Sequence, residues 1–251
     1  MGVSDEAMGV SDDLASLYQE QYAGGVESEW RRLGAVDKAS NVVRAWEMSG
    51  GRLNPSVVEI GCGDGSVAER LSSLDFYEEY RGFDISGSGI AQARARQIPR
   101  AEFIVTKGAR IDCEDNTADL AILTHVIEHL ENPRGLLSEA RRIAPIVIVE
   151  VPLELNGRMP RDYDWDPVGH INKYNAKSIR HLLQTCQLEI IAQFTTNHSV
   201  EVATFRRDSI ASQARWRTRE LLLRFAPQPA RALFTYHETL VARRVARGHA
   251  Y

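Results

Sequence analysis

The stretch VVEIGCGDGS, residues 57–66, constrains the fold more than any other part of the sequence. Its β-branched start predicts a buried strand, and the segment after the glycines, SVAERLSSL, predicts a helix. Glycines let a backbone approach a ligand closely, and a helix start offers free N–H groups. The stretch therefore predicts a ligand site between the first strand and the first helix of a βαβ unit.

The glycine spacing and the local charge indicate which ligand this loop suits. The order is G-x-G-x-G, whereas dinucleotide folds use G-x-G-x-x-G and phosphate-binding P-loops end in Gly-Lys-Ser/Thr. The loop contains no Lys or Arg, and Glu59 and Asp64 make it acidic. Asp84 ends the strand YRGFDIS about 20 residues later, where an acid can accept both ribose hydroxyls. The combination favours a cationic or neutral nucleoside over a pyrophosphate.

The rest of the chain continues the alternation of strands and helices. Short apolar runs alternate with helical segments from residue 56 to about 196, which predicts an α/β fold with a mostly parallel sheet covered by helices on both faces. Residues 14–50 predict an N-terminal helical lid, and residues 208–234 a helical insertion ended by Pro227 and Pro229. We expect a mobile tail over 1–13 and a single domain over 14–251.

Composition and charge disfavour several classes of protein. The net charge of −4 disfavours nucleic acid as a partner, and no apolar run reaches the length of a membrane span. Three cysteines without C-x-x-C spacing and no secretory segment predict reduced thiols and a cytoplasmic location. From residue 206 onward the sequence has ten arginines and only three acidic residues. That excess is either a solvated face or a site for a phosphorylated or nucleotide-linked acceptor, or RNA.

Several motifs together resemble one family. VVEIGCGDG and GFDIS look like the first two motifs of class I S-adenosylmethionine-dependent methyltransferases, and ADLAILTHVIEHLENP looks like their fourth-strand motif. APIVIVEVP and GHINKYNAKSIRHLL continue the resemblance, which is similar in style to ubiquinone-pathway, sugar and natural-product methyltransferases. It implies a Rossmann-like seven-stranded sheet with an antiparallel last strand. It also implies S-adenosyl-L-methionine as cofactor and methyl transfer to a hydroxyl or amine of a small molecule.

The resemblance also implies roles for individual residues. Those expected to bind the cofactor are the floor residues Glu59, Gly61, Cys62, Gly63 and Gly65, the ribose ligand Asp84, Ile85 against the adenine, and Thr124 and His125 beside the methionine. After the third strand the family usually has an acid for the adenine amine. Here that place holds Ala109 and Arg110, with Asp112 as the alternative.

The candidate acceptor site lies in the loops that follow strands. His170 and His129 are the candidate catalytic bases, because a histidine near neutral pKa can take the proton of a hydroxyl acceptor. The alternative is that His129 packs structurally. The expected substrate contacts are Tyr18 and Tyr22 of the lid, which the alternative places in packing, and Trp165, Asn172 and Tyr174 after the fifth strand.

Five other hypotheses complete the set. Residues 125–129 match H-x-x-E-H, an inverted zinc-protease pattern, but the match straddles a strand end and no third ligand is evident, so we expect no metal. An RNA methyltransferase, a non-catalytic partner subunit of the same fold and a nicotinamide enzyme are weaker alternatives. Residues 214–234 could form the interface of a homo-oligomer.

Overall fold

The structure is a computed structural model, and it describes residues 26–107, 110–162 and 169–245. The predicted tail over 1–13 lies outside these ranges. Among the helices described, none is both long enough and apolar enough to cross a bilayer.

A seven-stranded sheet forms the centre of the molecule. Its strands in chain order are β1 (Ser56–Ile60), β2 (Glu79–Asp84), β3 (Ala101–Val105), β4 (Leu120–Thr124), β5 (Ile146–Pro152), β6 (Leu188–Thr196) and β7 (His237–Arg244). The order across the sheet is β3-β2-β1-β4-β5-β7-β6. The first five strands in this order pair in parallel, and β7 pairs antiparallel with both β5 and β6. The predicted Rossmann-like sheet with an antiparallel last strand is confirmed.

Eight α-helices of five or more residues surround the sheet in the described ranges. They are α1 (Val26–Ser49), α2 (Ser66–Ser73), α3 (Gly87–Ala95), α4 (Pro133–Ile143), α5 (Ala176–Thr185), α6 (Val200–Thr204), α7 (Ile210–Phe225) and α8 (Pro227–Leu233). A short 3₁₀ turn, Ile127–His129, follows β4. Apolar residues of α1, α2 and α3 pack on one face of the sheet, and those of α4 and α5 pack on the other. The central strands are apolar on both sides because helices cover both faces.

The helical segment before β7 differs from its prediction at its start and at Pro227. It begins earlier, because Ser199 accepts a hydrogen bond from the N–H of Val202 and starts α6. Pro227 does not end the helical region but is the first residue of α8. A proline suits that position, since its ring fixes a helical φ and the N–H it lacks would have no partner there.

The chain order of the strands places the ligand site. The order reverses between β1 and β4, because β2 and β3 extend the sheet on one side and β4 and β5 extend it on the other. Ligands in open α/β sheets bind in the crevice at the carboxyl ends of the strands where this reversal occurs. The glycine loop after β1 and the segment after β4 meet at that point.

Candidate functional site

The loop between β1 and α2 adopts a conformation that only glycine tolerates easily. Gly61, Gly63 and Gly65 have φ values of 83°, 52° and 74°. A Cβ on Gly61 would lie 2.4 Å from a methyl of Val126, and one on Gly65 would lie 2.9 Å from the Cβ of Ala93. The loop therefore packs tightly against the segment after β4 and against α3. It leaves backbone rather than side chains facing the crevice, as a cradle for a nucleoside requires.

Asp84 is fixed beside this loop by backbone donors. One of its carboxylate oxygens accepts a hydrogen bond of 2.7 Å from the N–H of Gly63, and the other accepts one of 2.8 Å from the N–H of Ser86. Burial raises the pKa of Asp84 above its ordinary value, although these donors act in the opposite direction. A carboxylate has about four acceptor sites, more than the backbone donors occupy, so Asp84 can still accept a hydrogen bond from a ligand hydroxyl.

Glu59 is a buried carboxyl group at the end of β1. It is 1% exposed and accepts a hydrogen bond from the hydroxyl of Tyr80. Burial raises its pKa to about 7, while the nearby Lys38 ammonium acts in the opposite direction. A ligand that brings a positive charge to this side of the loop would favour the ionised form of Glu59.

The second acid of the loop, Asp64, is already paired. Its carboxylate lies 3.0 Å from Arg96 Nη2 and 3.6 Å from Arg31 Nε, and it accepts a hydrogen bond from the hydroxyl of Ser66. Burial would raise the pKa of Asp64, but Ser66 and the two guanidinium groups outweigh burial and lower it. The acidity expected of the loop from the sequence is thus partly neutralised by arginines outside it. Glu59 and Asp84 remain the acids available to a ligand.

The segment after β4 brings His125 into an unexpected cluster. His125 has a φ of 58°, which is uncommon for a residue with a side chain, and its N–H donates to the carbonyl of Glu150 at 2.9 Å. Its Nδ1 lies 3.4 Å from Glu128 and its Nε2 lies 3.3 Å from Glu150. Its ring meets that of His237 edge-on at 4.7 Å. The predicted role of His125 beside the methionine stays a prediction, as does that of Thr124, which is buried at the end of β4.

The carboxylates of this cluster are held ionised. Burial would raise the pKa of Glu150, but its partners lower it to about 2, with His125 and His237 foremost. Glu128 is shifted down in the same way by His125. The pKa of His237 is lowered to about 3, because burial and the nearby His125 disfavour its charged form. Three residues of this cluster were not predicted from the sequence: Glu128, Glu150 and His237. An acid inside the apolar run of β5 was the available signal for Glu150.

Both candidate bases lie together on the other side of Glu128. His129 Nδ1 is 3.1 Å from the carbonyl of Gly169, and His170 Nδ1 is 2.9 Å from a carboxylate oxygen of Glu154. The two imidazole rings meet edge-on with centroids 4.7 Å apart. Burial lowers the pKa of His129 although Glu128 raises it, so this imidazole is neutral at pH 7. The structure thus brings together two histidines 41 positions apart in the chain.

Two of the predicted substrate contacts, Asn172 and Tyr174, connect the chain after His170 to the turn after β4. The N–H of Asn172 donates to the carbonyl of Glu128 at 2.8 Å, and its side-chain amide donates to the carbonyl of Leu130 at 2.5 Å. The buried hydroxyl of Tyr174 donates to the carbonyl of Ile127 at 3.4 Å. These contacts hold His170 against His129. A direct contact of Asn172 or Tyr174 with substrate stays a prediction.

Of the remaining predicted residues the structure describes Ile85, Arg110 and Asp112. Ile85 is half-buried next to Asp84, whereas Arg110 and Asp112 are exposed beyond β3. Tyr18, Tyr22, Ala109 and Trp165 lie outside the described residues. Helix α1 is connected to the cluster around His125, because Asn41 donates a hydrogen bond of 2.7 Å to Glu150. That this helical region is a lid stays a prediction.

The H-x-x-E-H match at residues 125–129 does not form the zinc-protease arrangement. That arrangement needs two histidines one turn apart on a helix. Here the pattern spans a strand end and a 3₁₀ turn. Its two histidines join different groups: His125 lies with Glu150 and His237, and His129 lies with Glu128 and His170.

Comparison with known proteins places this geometry in a family. The family model described as a methyltransferase domain matches residues 18–193. Two Mycobacterium tuberculosis proteins described as probable S-adenosylmethionine-dependent methyltransferases are each 26% identical over 130 residues. That match covers 51% of this chain and 46% of each relative, so the chain spans about half the length of the curated relatives it matches.

Solved structures share the fold at lower identity. The magnesium protoporphyrin IX methyltransferase from Synechocystis, solved with bound S-adenosylmethionine, has a TM-score of 0.59 and 16% identity, and the match covers 94% of this chain and all of that one. The cyclase SpnF has a TM-score of 0.57 and 20% identity, with 80% of this chain and 79% of that one covered. Since one of these two proteins is named as a cyclase, the shared fold alone does not specify the reaction.

Proposed function

Because the chain belongs to the class I S-adenosylmethionine-dependent methyltransferases and S-adenosylmethionine is its cofactor, we propose that it methylates a hydroxyl or amine of a small molecule. The observation that carries this proposal is the glycine loop with Asp84 fixed beside it. A role in specialised-metabolite or sugar biosynthesis and a cytoplasmic location are part of the same proposal.

The residues around the loop fit the cofactor. The backbone of Gly61, Gly63 and Gly65 would form the floor, and Asp84 would accept the ribose hydroxyls. Glu59, whose pKa is raised by burial, would complement the positive methionine end. The absence of Lys and Arg from residues 57–66 suits a nucleoside without phosphates.

The cofactor supplies a methyl group activated by a positively charged sulfur. What the chain must add is alignment of the acceptor, exclusion of water and, for a hydroxyl, removal of a proton. An amine acceptor only has to arrive neutral. The histidines therefore matter more for methylation of oxygen than of nitrogen.

His170 is the better placed of the two candidate bases. The carboxylate of Glu154 accepts a hydrogen bond from Nδ1–H of His170, which leaves Nε2 with its lone pair free to take a proton. The carboxylate also stabilises the imidazolium that forms. His129 packs against the His170 ring and restricts its orientation. Glu154 therefore acts as a positioning residue, and His170 as the proton acceptor.

A nucleotide-linked or RNA acceptor is the second candidate. Arg158 and Arg219 lie over the ring of Phe234, with guanidinium carbons 4.9 and 5.5 Å from its centroid. Burial lowers the pKa of Arg219. Because the side chain is partly buried, solvent screens its charge only in part. Two arginines on one aromatic ring are a surface that anionic, aromatic acceptors can use.

The test is methyl transfer from labelled S-adenosylmethionine to a panel of phenols, sugars, amines and short RNAs. The proposal expects label in a hydroxyl or amine of at least one small molecule. Label confined to RNA would favour the second candidate. Binding of the cofactor without transfer to any member would favour a non-catalytic partner subunit.

A further inference from the structure

One carboxylate and two imidazoles converge at the carboxyl edge of the sheet. His125 follows β4, Glu150 lies in β5, and His237 begins the antiparallel strand β7, which places it opposite the end of β5. Glu150 Oε1 is 3.3 Å from His125 Nε2 and 3.9 Å from His237 Nδ1. One ligand atom from each residue lies within 4.8 Å of the other two.

The three facing atoms have no hydrogen-bond partner. His125 Nε2, Glu150 Oε1 and His237 Nδ1 are all buried without a donor or acceptor in suitable geometry. Glu150 itself is 1% exposed. Buried polar atoms are seldom left in this state, and three of them close together require an explanation. A cation between them would satisfy all three.

The groups behind these atoms hold them in place. The other carboxylate oxygen of Glu150 accepts hydrogen bonds from Asn41 Nδ2 at 2.7 Å and from the hydroxyl of Thr239 at 2.9 Å. The Nδ1 of His125 faces Glu128 at 3.4 Å. Histidines that bind metals usually donate their second ring N–H to such a carboxylate, which turns the other nitrogen toward the ion. Glu150 Oε1 and His125 Nε2 are left for the centre of the cluster.

We infer that His125, Glu150 and His237 bind one divalent first-row transition-metal ion. With bonds of about 2.0–2.1 Å, two ligands of a tetrahedral ion lie about 3.3 Å apart. The 3.3 Å between Glu150 and His125 already matches this separation, and His237, at 3.9 Å from Glu150, would have to move closer. Two imidazoles and one carboxylate suit Zn²⁺, Fe²⁺ and their neighbours. The ion would also neutralise the two buried carboxylates Glu128 and Glu150.

Three protein ligands leave a coordination position open. The side chains of His125 and His237 are 17% and 19% exposed, so one side of the cluster reaches the surface of the site. An oxygen of the methyl acceptor could take that position, a use that rests on the proposed function. Metal binding itself does not depend on the proposed function.

A neighbouring group provides a natural comparison. Glu128, His129 and His170 also have ligand atoms within 4.8 Å of one another. There, however, His129 Nδ1 already faces the carbonyl of Gly169, and His170 Nδ1 already pairs with Glu154. The first cluster is therefore the better site, and a variant of His170 separates the two.

The test begins with the whole 251-residue chain after a chelator has removed bound metal. Co²⁺ is added in steps, and its binding is followed by visible absorption. The affinity for Zn²⁺ is then measured by competition with a chromophoric chelator. We expect one equivalent to bind. His237→Ala and Glu150→Gln should weaken binding at least about 100-fold, since each removes a ligand. The glutamine keeps the shape of the side chain and an oxygen for Asn41 and Thr239. Circular dichroism and thermal melts report whether the variants fold.

Two histidine variants serve as controls. His181→Ala changes an exposed histidine on α5, and His170→Ala changes the neighbouring group. Both should bind the ion like the wild type. Less than one equivalent bound by the folded wild type, wild-type affinity in both ligand variants, or a loss that follows His170→Ala instead would each overturn the inference. None of these readouts uses methyl transfer, so they are independent of the proposed function.

Discussion

Replacing Gly61 with alanine tests whether the glycine loop has the tight geometry on which the cofactor site depends. The φ of 83° costs an alanine about 1–2 kcal/mol, because the left-handed region brings Cβ close to the following carbonyl. The new Cβ would also lie 2.4 Å from Val126 Cγ2, and overpacking of this kind costs about 1–3 kcal/mol. Together these terms predict that Gly61→Ala lowers the free energy of unfolding by about 2–5 kcal/mol.

The two terms can be separated by a double-mutant cycle measured by urea unfolding and circular dichroism. Val126→Ala removes the methyl that the new Cβ would meet, so the double variant should be about 1–3 kcal/mol more stable than the sum of the two single changes predicts. The backbone term should remain. Gly34→Ala is the matched control: Gly34 lies in α1, and a Cβ there meets nothing within 4 Å.

The control variant should gain about 0.5–1 kcal/mol, as expected for a glycine replaced within a helix. A loss below about 1 kcal/mol in Gly61→Ala would refute the loop geometry. A coupling energy near zero between Gly61→Ala and Val126→Ala would show that the contact with the segment after β4 is wrong.

Two further predictions concern buried groups of the site. Glu59→Gln tests whether the pKa of Glu59 is about 7 in the folded protein. Between the ordinary pKa of 4.5 and pH 7, the folded wild type holds a proton on Glu59 that the unfolded chain has lost. Its free energy of unfolding therefore falls as pH rises through that window. Between pH 5 and 8 the stability of the wild type should fall by about 2–3 kcal/mol relative to the variant in urea unfolding, and a constant gap would contradict the raised pKa. His170→Ala should lower the turnover of a hydroxyl acceptor at least about tenfold while S-adenosylhomocysteine binding stays unchanged. Unchanged rates in both this variant and His129→Ala would rule out a histidine base.

The fold and the cofactor loop were predictable because their signals are local. The spacing of Gly61, Gly63 and Gly65 requires a tight turn after a strand, and Asp84 follows at the distance that one helix and one strand occupy. The alternation of elements then determined the sheet. Pro227 shows the limit of such local signals, since a proline is compatible with both the end of one helix and the start of the next.

The acid–imidazole cluster could not be predicted, because its members come from separate strands. His125, Glu150 and His237 are brought together only by the position of β7 beside β5 and in the opposite direction. In a helical H-x-x-E-H motif the two histidines would bind one ion, whereas here the positive φ of His125 turns the chain and places His125 and His129 in different groups. The pairing of His170 with Glu154 likewise depends on how the segment after β5 folds back on the turn after β4.

The central claim is that this chain holds S-adenosylmethionine on the glycine loop and Asp84. Calorimetric titration with S-adenosylhomocysteine, on the wild type and on Asp84→Asn, tests it most directly. The asparagine keeps the size of the side chain and removes the charge that accepts the ribose hydroxyls, a loss of about 1.5–3 kcal/mol. We expect micromolar binding by the wild type and binding weakened about ten- to hundredfold in the variant. A folded wild-type protein that does not bind, or a variant that binds equally well, would contradict it.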